Sequence, residues 1–201
     1  MKKFELTAES KIFAGKKLFR IKALLSFGDV KEGELGGYVE KEENLSNDGN
    51  AWVYGNAWVY GNARVYGNAR VSGDARVSGD AWVYGNARVY GNARVSGNAR
   101  VSGDAEVFGD AWVYGDARVS GDAEVFGDAD YATVHGFGSE YRTTTFFRTK
   151  AGDIGVRCGC FYGTLEEFRA KVKETHGETK SAKEYLMVAD LMEFRFSKEE
   201  A

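Results

Sequence analysis

From Ala51 to Asp128 the chain alternates inward and outward positions, with a break every six residues. Each unit reads Ala, a variable residue, Val, then Tyr, Ser or Phe, then Gly and Asn or Asp. Thirteen such units follow one another without an insertion. The period of two across Ala-x-Val predicts a short strand with Ala and Val on one side. The Gly-Asn or Gly-Asp pair, as at Gly67-Asn68, tolerates positive φ and predicts a corner after every strand. A unit this small buries nothing alone, so the units must stack into a solenoid.

The flanks lose this period and read as caps over the exposed edges of the stack. The division predicted is an N-terminal β cap over 1–44, a repeat body over 45–134 and an α+β C-terminal cap over 135–201. In the first, runs from Lys3 to Thr7 and from Lys17 to Leu24 flank Gly15, a hairpin pattern that sets Phe4 and Leu6 against Phe19 and Ile21. Asp29 to Asn44 is polar and broken by Gly33, Gly36 and Gly37, which predicts loop and turn. In the last, Thr143–Thr149 and Ile154–Cys158 read as strands around a turn at 150–153. Thr164 with Glu167 makes a capping box for a helix running to Gly177, and Ser181 with Glu184 opens a second.

The spacing of Val65 and Ala69, with their equivalents in every unit, resembles the hexapeptide-repeat, left-handed parallel β-helix family. The resemblance implies three units per coil, a left hand and an all-β solenoid of about five coils at ~4.8 Å each. The order Gly36 to Glu40, Asn44-Leu45-Ser46, the Trp-Val-Tyr-Gly units, Cys158-Gly159-Cys160-Phe161 and His176-Gly177 is similar to repeat proteins encoded by phages and prophages. Those carry labels such as transferase or polymer-forming protein. This likeness implies residence in the host bacterial cytoplasm, and it raises a counter-defence role, inhibiting a host defence protein or sequestering a nucleotide signal.

With eighteen residues per coil, the outward residues fall into three rows. Trp52, Arg70, Arg88, Glu106 and Glu124 form the first; Trp58, Arg76, Arg94 and Trp112 the second; Arg64, Trp82, Arg100 and Arg118 the third. Trp over Arg predicts cation–π contact, and Arg88 over Glu106 predicts an ion pair. Asp110 over Asp128 and Asp104 over Asp122 place like charges at the corners. So many outward aromatics predict partner contact or self-association, as a trimer on the family resemblance. The candidate binding residues are Trp52, Trp58, Trp82, Trp112, Tyr66, Tyr84, Arg64 and Arg100. Tyr and Trp beside Arg also suit a stacked nucleotide, although the acidic corners oppose phosphate.

Residues 63–86 and 87–110 are near-copies that differ only at Asp74/Asn98, Trp82/Glu106, Tyr84/Phe108 and Asn86/Asp110. The copied unit is four hexapeptides and the coil is three. Duplication therefore rotates each surface pattern onto the next face, whereas an active site needs a fixed constellation. The repeat body is accordingly expected to bind rather than catalyse. A net charge of −3 gives no general argument for DNA or membrane, and no apolar run is long enough to cross a bilayer. Two cysteines are too few for a disulfide framework, which favours the cytoplasm.

Two chemical alternatives remain in the C-terminal segment. Cys158, Cys160, His176 and His135 could together supply four metal ligands, although C-x-C is a weaker signal than paired C-x-x-C. The family resemblance also raises an acyltransferase, for which His135 is the one histidine near the repeat end. The carbonic anhydrase chemistry of the same family needs three histidines and the chain has two. The expectation is a non-catalytic binding protein without a cofactor, self-associating and engaging a partner such as a host protein.

Overall fold

The computed structural model describes residues 2–197. Two long strands open the chain, β1 (Phe4–Phe13) and β2 (Lys16–Ala23), followed by β3 (Leu35–Val39). Thirteen two-residue strands come next, β4 (Trp52–Val53) to β16 (Glu124–Val125), one in each hexapeptide. An antiparallel meander then follows, β17 (Tyr131–Val134), β18 (Thr144–Arg148), β19 (Ile154–Cys158) and β20 (Phe161–Thr164). Helices α1 (Leu165–His176) and α2 (Lys180–Phe196) end it.

The thirteen short strands sort into three parallel sheets in which each strand pairs with the one three units on. Trp52 pairs with Arg70, Trp58 with Arg76 and Arg64 with Trp82. The chain therefore makes one coil every eighteen residues, about five coils in all. Every Ala and Val of the repeat, from Ala51 to Val125, lies in one continuous core. Corner glycines are fixed twice over. Gly97 has φ +66°, and a Cβ there would sit 2.9 Å from the Gly115 nitrogen one coil on, so neither the conformation nor the stacking admits a side chain.

The stack has a direction. Trp52 N–H donates to the Ala69 carbonyl at 3.1 Å, Arg64 to Ala81 at 2.9 Å and Asp80 to Gly97 at 2.8 Å, always from one coil to the next. The first coil is thus left with bare carbonyls and the last with bare N–H groups. At the first end donors answer. Lys3 Nζ donates to the Ala51 carbonyl at 2.9 Å. Asn44 Nδ2 donates to Ala63 at 2.8 Å and to Gly61 at 3.1 Å. At the other end acceptors answer. Thr145 Oγ1 takes Arg118 N–H at 2.9 Å, Asp128 Oδ1 takes Trp112 N–H at 2.9 Å, and Asp130 Oδ2 takes both Phe126 and Gly127 N–H.

The N-terminal hairpin does more than cover an end. β2 pairs with β3, and β3 joins the second row in parallel with β5, so that sheet grows to seven strands. Within the hairpin Leu6 lies opposite Ile21, while Phe4 faces Ala23 and Phe19 faces Ser10, because the register shifts between Leu6 and Ser10. Gly36 and Gly37 are strand residues, where loop and turn were expected. A Cβ at Gly36 would lie 2.6 Å from Ile21 and from the Val53 carbonyl, and one at Gly37 would lie 2.5 Å from the Ala57 carbonyl. These glycines permit close approach rather than a turn.

The C-terminal sheet has two working faces. Phe147 joins the solenoid core, whereas Phe146, its neighbour in β18, points into a second core with Phe168, Val172 and the inner face of α2. Thr164 caps α1 and exchanges hydrogen bonds with Glu167 as the capping box requires. The second helix starts earlier than Ser181. Thr179 is its cap, accepting from Ala182 N–H.

Candidate binding face

The three rows do not share one fate. The first is covered at its start, where Trp52 is fully buried under Phe4 and Phe27 and is a core residue rather than the outward platform expected. Further along, Arg70 meets Asp29 at 2.9 Å, and Glu106 meets Lys150 at 2.8 Å and the Tyr90 hydroxyl at 2.8 Å. The expected Arg88 to Glu106 ion pair is not formed, because Lys150 arrives from the C-terminal cap and takes that carboxylate. The Lys150 hydrogen bond holds Glu106 below the usual carboxylate range, and burial beside Glu106 pushes Tyr90 up to about 12.

The second row lies partly under the hairpin. Phe13 packs on Trp58 with ring centroids 4.9 Å apart, and Arg76 sits 4.6 Å from the Trp58 ring and 5.1 Å from Phe13. Trp112, at the far end of that row, is exposed beside Tyr114, and its indole N–H donates to Ser96.

The third row is where five of the candidate residues converge. Arg64, Trp82 and Arg100 follow one another up the sheet β6 (Arg64–Val65), β9 (Trp82–Val83) and β12 (Arg100–Val101). The Arg100 guanidinium lies 4.7 Å over Trp82. Tyr66 and Tyr84 leave the same strands and stack with centroids 4.9 Å apart and planes within 1°. Tyr66 meets Trp82 edge-on at 6.2 Å. Burial, with Tyr84 alongside, raises the Tyr66 hydroxyl above its ordinary value.

Two clefts of about 780 and 670 Å³ adjoin on this row and share Glu43, Arg64 and Trp82. Neither Arg64 nor Arg100 forms an ion pair among the described residues. The corners bordering the row are amide ladders. Asn50 donates to Asn68, Asn68 to Asn86 and Asn86 to Asp104, with distances of 3.1, 3.1 and 2.9 Å. On the other border Asn62 donates to Asp80 and Asn98 to Asp116. A carboxylate only accepts, so each ladder closes on an Asp. The expected stacks of like charge are relieved in the same way. Asp104 takes the Asn86 amide, Asp122 the Tyr162 hydroxyl, Asp110 the Asn92 amide and Asp128 the Trp112 N–H.

The metal alternative does not assemble. Cys158, Cys160 and His176 line one cavity, but His135 is exposed at the end of β17 with its Nδ1 3.1 Å from Thr143 Oγ1. Among the described residues no set of three His, Cys, Asp or Glu is placed to hold a metal ion. No described helix is long and apolar enough to cross a membrane.

These features define a capped parallel β-solenoid repeat protein whose third row carries an aromatic and basic face. Six overlapping segments, 57–73, 63–79, 69–85, 81–97, 87–103 and 93–109, match the YdcK beta solenoid repeat, so the repeat body is similar to that family over its central coils. No curated protein matches the chain.

Proposed function

We propose that this chain is a non-catalytic interaction protein that binds through its third face, first of all to further copies of itself as a trimer. One observation carries the reading. The hairpin and the loop at Asp29 cover parts of the other two rows, while Arg64, Trp82, Arg100 and Tyr66 line two adjoining clefts, Tyr84 stacks on Tyr66, and neither guanidinium group has an ion-pair partner among the described residues. Arg and aromatic residues of this kind are the usual anchors of protein interfaces. A second copy with a parallel axis repeats at the same ~4.8 Å rise, so Arg64 and Arg100, two coils apart, can both meet acidic corners of the neighbour. The sequence likeness to phage-encoded repeat proteins makes a host protein the next partner to seek.

Native mass spectrometry and sedimentation test this directly. The natural chain should give a single trimer mass, and Arg64→Glu with Arg100→Glu should give a monomer that still unfolds cooperatively. Arg88→Glu with Arg94→Glu, on the other rows, should leave the trimer intact. A monomeric natural chain, or a trimer indifferent to the Arg64 and Arg100 changes, sinks the proposal.

A further inference from the structure

Sealing the solenoid uses only one face of the C-terminal sheet. Thr145, Phe147, Lys150 and Tyr162 all reach toward the coils. The helix pair lies on the opposite face and, together with the segment before β18, borders a solvent-open cavity of about 560 Å³. That size falls in the range of small-molecule sites, roughly 300–1,000 Å³.

The chain has two cysteines and two histidines, and three of these four residues line this one cavity. Cys158 and Cys160 come from the turn between β19 and β20, made tight by Gly159 at φ +58°. His176 comes from the last turn of α1 and lies against Tyr185, with ring centroids 5.6 Å apart. Thr144 Oγ1 donates to Cys158 Sγ at 3.2 Å, so that thiol is held in place. Burial, and then the neighbouring Cys158, raise the Tyr185 hydroxyl above its ordinary value. The remaining lining divides by character. Phe161, Phe168 and Val172 make an apolar wall, Arg142 and Lys171 supply two cations, and Glu140 supplies one carboxylate beside Ser139 and Thr175.

The two cations are already paired, Arg142 with Glu140 at 3.2 Å and Lys171 with Glu174 at 2.9 Å, but both pairs are mostly exposed. Exposed pairs of this kind contribute little, so an incoming anion can take either cation at little cost. With no third ligand for a metal in place, the lining suits an organic guest. We propose that this cavity binds a small organic anion with an aromatic or branched apolar body. The body lies on Phe161, Phe168 and Val172, the anionic group lies at Arg142 and Lys171, and Cys160 is close enough to be shielded by the guest. This site is separate from the third face of the solenoid and does not depend on it.

The probe is 8-anilinonaphthalene-1-sulfonate, an aromatic body carrying one sulfonate, titrated into the folded full chain and followed by its fluorescence. Saturable binding is expected, weakened about tenfold by Arg142→Gln with Lys171→Gln and by added salt. Val172→Trp, which fills the cavity, should abolish it. Bound dye should slow alkylation of Cys160 by iodoacetamide, read by mass spectrometry in a Cys158→Ser background. The charge variants lie on the surface and keep the test decisive if Val172→Trp does not fold. Non-saturating fluorescence, indifference to the Arg142 and Lys171 changes, or loss of binding on Phe194→Ser instead would overturn the proposal. Phe194 is exposed with Met187 and Leu191 on the outer side of α2, the competing apolar surface.

Discussion

The two ends of the solenoid pose opposite chemical problems, and the chain solves them with opposite groups. The first coil presents carbonyls and is met by Lys3, by Asn44 and by the N–H groups of Tyr38 and Glu40. The last presents N–H groups and is met by Thr145, Asp128 and Asp130. The cause is the uniform direction of the ladder, which gives the stack a donor end and an acceptor end much as an α-helix has. The caps are therefore not interchangeable. A bare end of one copy would be complementary to the bare opposite end of another, so the caps also prevent head-to-tail growth.

The sharpest way to break this comparison is to make the same exchange of amide and carboxylate at both ends. Asn44→Asp turns a buried donor into an acceptor facing the Gly61 and Ala63 carbonyls, and should cost about 4 kcal/mol. Asp130→Asn keeps an acceptor oxygen for the Phe126 and Gly127 N–H groups and should cost about 1 kcal/mol. Urea unfolding of the two variants gives both numbers. Equal losses would show that end polarity does not matter.

A smaller effect separates a corner that has a successor from one that is left open. Gly97 and Gly115 occupy the same corner one coil apart, both with positive φ. A Cβ at Gly97 would press on the Gly115 backbone, whereas one at Gly115 meets nothing within 4 Å. Gly97→Ala should cost about 3 kcal/mol and Gly115→Ala about 1 kcal/mol, the latter from the left-handed conformation alone. Urea midpoints again decide, and a Gly115→Ala loss as large as that of Gly97→Ala would mean that stacking adds nothing to the demand for glycine.

Much of this was legible in the sequence because the repeat is local. Alternation within Ala-x-Val told inside from outside, and the eighteen-residue coil implied by the family resemblance, not by the repeat itself, put Arg64, Trp82 and Arg100 in one row. The capping box at Thr164 and Glu167 is equally local. What could not be read is what lies over each row. Trp52 has the same pattern as Trp82, yet the hairpin and Phe27 bury the first and leave the second beside a cleft. Glu106 is taken by Lys150, forty-four residues away in sequence. Gly36 and Gly37 read as turn residues because nothing nearby shows the backbone and side chains they must let past. The end polarity was hidden for another reason. It follows from ladder direction, which a hydrophobic pattern does not encode.

Lys3 and Asn44 perform the same task at the first end, one with a charge and one without, and pH separates them. Lys3 is buried, with its ammonium on the Ala51 and Gly49 carbonyls and 4.6 Å from the Phe27 ring. Burial lowers its pKa to about 8, with Asp48 partly opposing the shift. Below pH 8 the amine is protonated in both folded and unfolded chains, and the cost of burying the charge is constant. Between about 8 and the ordinary lysine value of 10.5 the unfolded chain binds more protons than the folded one, so stability rises with pH across that window. Tyr54, Tyr90 and Tyr131 act in the opposite sense. Burial holds each at about 12, above the ordinary value of 10.0, so the unfolded chain loses these protons first and stability falls above pH 10. The natural chain should therefore gain stability from pH 8 toward 10 and lose it beyond, in a series of urea midpoints. Lys3→Met should keep the fall and lose the rise, since it removes the only one of these groups that titrates in the lower window. A rise that survives in Lys3→Met would mean that some other group carries the charge cost at this end.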